Sequence, residues 1–148
     1  FFNHQFEIYE SHRGDTAYYD PDKNVLIHYK GRRVFLVNAK VGMEQFQHYS
    51  IGLYGIEGKE GTYKDAEDGK LESNPIEHGL VDSVIGLNVP LEPRETKQAH
   101  YWITISKHIH EAKDMNQYVL IEHLSTSSTQ PITTGKRGST NKSSAFMV

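Results

Sequence analysis

Asp65, Glu67 and Asp68 fall together in a polar, glycine-rich stretch, residues 58–83, that reads GKEGTYKDAEDGKLESNPIEHGLVDS. Carboxylates held about 5–10 Å apart, with their pKa values separated, act as the general acid and base of glycoside hydrolysis. The same three residues also read as a solvated acidic loop with Asp68-Gly69 at its turn. Catalysis requires a geometrically complete site, which spacing alone does not supply. A calcium loop does not fit, because setting Asp68-Gly69 on the EF-hand pattern puts Lys64 and Ala66 at ligand positions.

The nine histidines raise the question of a metal. His108 and His110 are two residues apart, which on a helix puts them on different sides, unlike the i,i+4 pair of a helical zinc site. His12, His28, His48, His78 and His100 are scattered singly, so neither a metal nor another cofactor is expected. No Gly-x-Ser-x-Gly elbow, phosphate-binding loop or dinucleotide fingerprint is present. Among the aromatics, Trp102 and Tyr63 are candidate platforms for stacking a sugar ring. The competing reading has Trp102 covered by a helix or a partner domain, since Trp is highly buried on average.

Such groups need a scaffold, and 148 residues supply about one domain. A net charge of −3 gives no basic field for nucleic acid or an anionic membrane. No apolar run approaches the roughly 20 residues of a membrane span, and no signal peptide is visible. The absence of cysteine removes disulfides and thiol nucleophiles and agrees with a cytoplasmic location. The opening FFNHQFEIY begins abruptly in strand-like alternation, so the chain reads as a fragment of a longer protein.

Alternation of apolar and polar residues predicts strands near the N-terminus, with Phe2, His4, Phe6 and Ile8 on one side, and over 16–19, 25–29, 33–38, 47–56, 80–91 and 98–105. In the strand over 80–91, Val81, Ser83, Ile85, Leu87, Val89 and Leu91 share a face. The period then changes to helical over 107–124, through Ile109, Ala112, Met115 or Asn116, Val119, Leu120 and His123. Residues 125–148 are Ser/Thr-rich without period and read as a disordered tail. The expected fold is mainly β: an antiparallel two-sheet β-sandwich over 1–106, a linker helix over 107–124, then the tail.

Three strings, GDTAYYDPDKNVLIHYKGRRVFLVN, EGTYKDAEDGKLESNPIEHGLVDSVIGL and the Tyr101-Trp102 strand leading into the helix, resemble a known family. They are similar to the N-terminal β-sandwich domain of prokaryotic glycoside hydrolase family 15 proteins, which include glucoamylase-, glucodextranase- and trehalase-like enzymes. The resemblance covers about residues 1–124. It implies the second half of a large sandwich, joined by a linker helix to an (α/α)6 barrel that carries both glutamates of an inverting mechanism. By this resemblance the chain alone is inactive, and its partners are the barrel and, through the parent enzyme, α-glucosides. Tyr63, Asp65, Glu67, Asp68 and Asn74 would then line an interdomain or substrate-proximal loop. Half a sandwich would also leave open sheet edges that favour a homo-oligomer. A stand-alone carbohydrate-binding sandwich is the alternative.

Overall fold

The computed structural model describes residues 1–10, 14–56, 58–64, 66–123 and 144–147. Its strands are β1 (Phe2–His4), β2 (Asp15–Asp20), β3 (Val25–Lys30), β4 (Arg33–Val41), β5 (Glu44–Gln45), β6 (His48–Ile56), β7 (Lys59–Glu60), β8 (Ile76–Gly79), β9 (Val81–Gly86), β10 (Ala99–Ser106) and β11 (Ser144–Met147). One helix, α1 (Ile109–Tyr118), continues into a π-helical turn, Val119–His123. A four-stranded sheet has the order β1-β9-β6-β7, and a seven-stranded sheet the order β11-β10-β4-β3-β2-β8 with β5 beside β4. Every pairing is antiparallel. The fold is a mainly β, two-sheet sandwich followed by a helix.

Strand alternation sorts the large sheet's side chains onto two faces. Ala17, Leu26, Val37 and Ala39 face the small sheet and meet Ile51, Val81 and Ile85 in the main core. Val25, Ile27, Val34 and Leu36 face the other way and pack on Ala112 of α1. The large sheet is therefore the middle layer, with apolar residues on both faces. This explains why β3 buries four residues in succession, Val25 to His28, instead of alternating.

Local chemistry sets the turns. Asp20 Oδ1 accepts from the Asp22 amide at 3.0 Å, and Asn24 takes a left-handed φ of 50° that an Asn tolerates, which closes β2 onto β3. The β3–β4 hairpin pairs Lys30 with Arg33. Across the other face, Lys113 of α1 pairs with Asp20 and ties the helix to β2.

Several expected boundaries change. Residues 80–91 are not one strand: β9 ends at Gly86, and Val89 and Leu91 are exposed. The partner strands run out there, at the Phe2–Ile85 and His48–Gly86 pairs, and Pro90 lacks the amide that would extend a ladder further. The opening strand also ends early, at His4, and a 3-10 turn with Tyr9 at φ 61° follows. Of residues 125–148, Ser144–Met147 pairs with β10, and 124–143 and 148 lie outside the described residues. Among the described residues no helix is long and apolar enough to cross a membrane.

Candidate functional site

The long loop after β6 lies across the outer face of the small sheet, and its base is fixed by Asp82. On β9, Ser83 points inward to the large sheet, so its neighbour Asp82 points outward. There Asp82 Oδ2 accepts from the Thr62 amide at 2.7 Å and the Thr62 hydroxyl at 3.0 Å. Asn3 of β1 joins them, donating to Thr62 Oγ1 at 3.2 Å and to the Ser83 carbonyl at 3.1 Å. Asp82 is 3% exposed and Thr62 1%. Gly61 makes this approach possible: its φ is +97°, and a Cβ there would come within 2.7 Å of Asp82 Oδ2.

Asn74 fixes the far end of the loop. Its amide donates to the Ile51 carbonyl at 2.8 Å and to Glu77 Oε1 at 3.0 Å, while the Ile51 amide donates to the Asn74 carbonyl at 3.1 Å. Two residues on, the chain enters β8 and pairs with β2 of the large sheet. The segment thus crosses from one sheet to the other and closes that side of the sandwich.

Between these anchors the loop turns outward. Amide-to-carbonyl bonds run from Ala66 to Thr62, from Glu67 to Lys64 and from Gly69 to Ala66. Tyr63 is 48% exposed, and Glu67 and Asp68 are exposed. Asp68 Oδ1 accepts the Lys70 amide at 2.9 Å, a local turn bond of the kind Asp makes readily. Lys64 pairs with Glu60 four residues earlier. Asp65 lies outside the described residues. Asn74 is thus a structural clasp, and beside it Glu60, Glu72 and Glu77 line an open groove of about 260 Å³ whose lining does not include Glu67 or Asp68.

Trp102 is not a sugar platform. It is wholly buried, with Val119 and Leu120 packed against it, and its Nε1 donates to Asn116 Oδ1 at 2.9 Å. Asn38 Nδ2 donates to the same oxygen at 3.0 Å. The helix covers the ring because Trp102 lies on the face opposite Tyr101 and Ile103, which point into the main core.

Sequence reasoning missed a second polar cluster, inside the sandwich. Ser83 Oγ lies 2.8 Å from His28 Nε2 and 3.2 Å from His4 Nδ1. A hydroxyl has one proton and two lone pairs, so it donates to at most one ring and at least one ring donates to it. His4 Nε2 and His28 Nδ1 are buried without a partner. Burial lowers the His4 pKa to about 4; burial and then the nearby His4 lower His28 to about 3. The rings are walled by aromatics: Tyr101 stacks on His4 at 5.7 Å, and Phe6 meets His28 edge-on at 5.0 Å. A serine between two neutral histidines resembles part of a nucleophilic site, but Ser83 is 0% exposed and no substrate could reach it. The cluster is structural.

His108 and His110 stack at 5.5 Å, although helical spacing would separate them. His108 is the extended N-cap residue, so it stands outside the helical repeat. Among the described residues, no three His, Asp or Glu side chains are grouped to hold a metal. No protein-family model, curated protein or solved structure matches the chain.

Proposed function

We propose that the chain is the non-catalytic N-terminal scaffold domain of a family 15 glycoside hydrolase of the α-glucosidase class, with its long loop docking on the catalytic barrel. The observation that carries this is the contrast within the loop. Asp82 and Asn74 hold its two ends rigidly, while Tyr63, Glu67 and Asp68 are presented outward. Loops carried on a rigid scaffold in this way serve as contact surfaces. Burial of Trp102 removes the main platform that a stand-alone carbohydrate-binding module would use.

The test is the complete product of the gene that encodes this chain, beside residues 1–148 alone, assayed on maltose, trehalose and dextran. Hydrolysis by the complete product with inversion at the anomeric carbon, and none by 1–148, is the expected outcome. Hydrolysis by 1–148 itself would overturn the proposal, as would a complete product with no catalytic barrel. Self-association through the sheet edges belongs to the same proposal: β8 carries Ile76, 56% exposed, at one edge of the large sheet. A dimer in light scattering at micromolar concentration is expected, and a monodisperse monomer would remove that part.

A further inference from the structure

A groove of about 620 Å³ opens at one end of the sandwich, between the β4–β5 turn and the connection that leads from β9 to β10. We propose that it binds an organic anion, a small molecule with a carboxylate or phosphate on an apolar body, and that Lys40 is its charge partner.

Lys40 is the reason. It lines the groove and is 7% exposed, yet no carboxylate or hydrogen-bond acceptor partners it among the described residues. Its stem is packed away, but its ammonium is not among the buried atoms without a partner, so the charge stays open to the solvent of the groove with no carboxylate beside it among the described residues. Two half-buried lysines of the chain do have a carboxylate: Lys30 holds Asp15 at 3.1 Å, and Lys113 holds Asp20. Lys40 alone among these three has no carboxylate, and it is the one beside a groove.

The surroundings select the charge and character of the occupant. The β4–β10 register sets His100 opposite Lys40, so an imidazole lines the groove as well, with the amides of Asn88 and Gln98 also on the lining. Lys97 also lines it, with its ammonium already given to the Pro90 carbonyl and Glu95. The one carboxylate on the lining, Glu44, accepts from Gln47 Nε2 at 3.1 Å. Met43, Val89 and Pro90 supply an apolar wall. A cavity of about 300–1,000 Å³ with apolar walls and few polar groups is the usual form of a small-molecule site.

The experiment is an amide NMR titration of the 148-residue chain, with phenyl phosphate and octanoate as separate probes. Saturable shifts at Gly42, Met43 and Val89 are expected with at least one probe, and the tighter arm identifies the head group. Lys40→Gln should weaken that binding about tenfold or more, as loss of a charge-assisted bond does, while Lys40→Arg keeps most of it. Absence of saturable shifts with both probes would overturn the proposal. So would equal affinity in Lys40→Gln. If Lys40→Gln does not fold, the salt dependence of wild-type binding decides: affinity that is unchanged by added salt counts against a charge partner.

Discussion

On the helix side of the large sheet, Asn116 Oδ1 receives Trp102 Nε1 at 2.9 Å and Asn38 Nδ2 at 3.0 Å, and Asn38 Oδ1 in turn accepts the Ala39 amide at 2.8 Å. Between the two sheets, Ser83 joins His4 and His28 but leaves one nitrogen of each ring without a partner. Both clusters are buried, and each links elements far apart in sequence. The difference lies in the number of hydrogen-bonding atoms. An amide and an indole match one another's donors and acceptors, whereas a single hydroxyl cannot serve four imidazole nitrogens. The helix side is held by completed bonds and the inter-sheet side by stacked rings. Only the second contains titratable rings, and burial keeps them neutral in mild acid.

Acid therefore discriminates between them most strongly. Burial holds His4 at about 4 and His28 at about 3, below the ordinary 6.5 that each regains on unfolding. In the window between, the unfolded chain binds protons that the folded chain refuses, so stability is full above pH 6.5 and falls as the pH drops toward 4 and 3. From pH 7 to pH 5 the expected loss is on the order of 2 kcal/mol per ring, a large share of a total of about 5–15 kcal/mol. Urea unfolding across that range measures it. A flat profile would mean that water or a counter-charge reaches the rings.

The saturated cluster breaks by substitution instead. Asn116→Ala leaves Trp102 Nε1 and Asn38 Nδ2 buried without an acceptor, at a cost of about 1–3 kcal/mol for an orphaned donor, so a loss of about 2–3 kcal/mol is expected. The loss should be equal at pH 7 and pH 5, because no titrating group takes part. A pH-dependent deficit would show that the two faces are coupled.

The two clusters were unequally legible in the sequence, for a physical reason. Alternation revealed β2, β3, β4, β6 and β10, and the change to helical spacing revealed α1, because period records which face is buried. Spacing even offered Met115 or Asn116 as the inward residue, and the structure selects Asn116 because an acceptor is needed beneath Trp102. Nothing local joins His4 to Ser83, which lie 79 residues apart, or Thr62 to Asp82, 20 apart. The available signal was an Asp and a Ser in the midst of an otherwise apolar strand. Residues 87–91 misled in the opposite sense: their alternation continues that of β9, but an alternating segment with no partner strand is not a strand. The short β7 and β8 lay unseen inside a polar loop, because their order comes from neighbouring strands and not from their own composition.

A finer substitution sharpens the contrast within the inter-sheet cluster. His4→Phe keeps an aromatic ring between Tyr101 and Phe6 and leaves Ser83 with His28. It removes one unpaired nitrogen at the cost of one long hydrogen bond. A change within about 1 kcal/mol is expected at pH 7, since a net hydrogen bond is worth about that. The acid-induced loss should fall to about half, because one of the two titrating rings is gone. If the acid profile is unchanged, His4 does not carry its share and the loss belongs to another group.

The smallest effect is expected where neither kind of cluster operates. Tyr63 stands at the outward end of a loop whose fixed points, Thr62 and Asn74, hold without it. Tyr63→Ala should therefore change unfolding stability by no more than about 0.5 kcal/mol, the usual range for an exposed side chain away from such features. Measured beside Asn116→Ala and the acid profile, it gives the baseline for a side chain that the sandwich does not need. A loss of 2 kcal/mol or more, on the scale of a buried group, would make Tyr63 part of the loop's own packing. A neutral result leaves the ring free to contact another domain, and, on the proposed reading of the chain as part of a glycoside hydrolase, impaired hydrolysis by the complete gene product carrying Tyr63→Ala would then report docking and not folding.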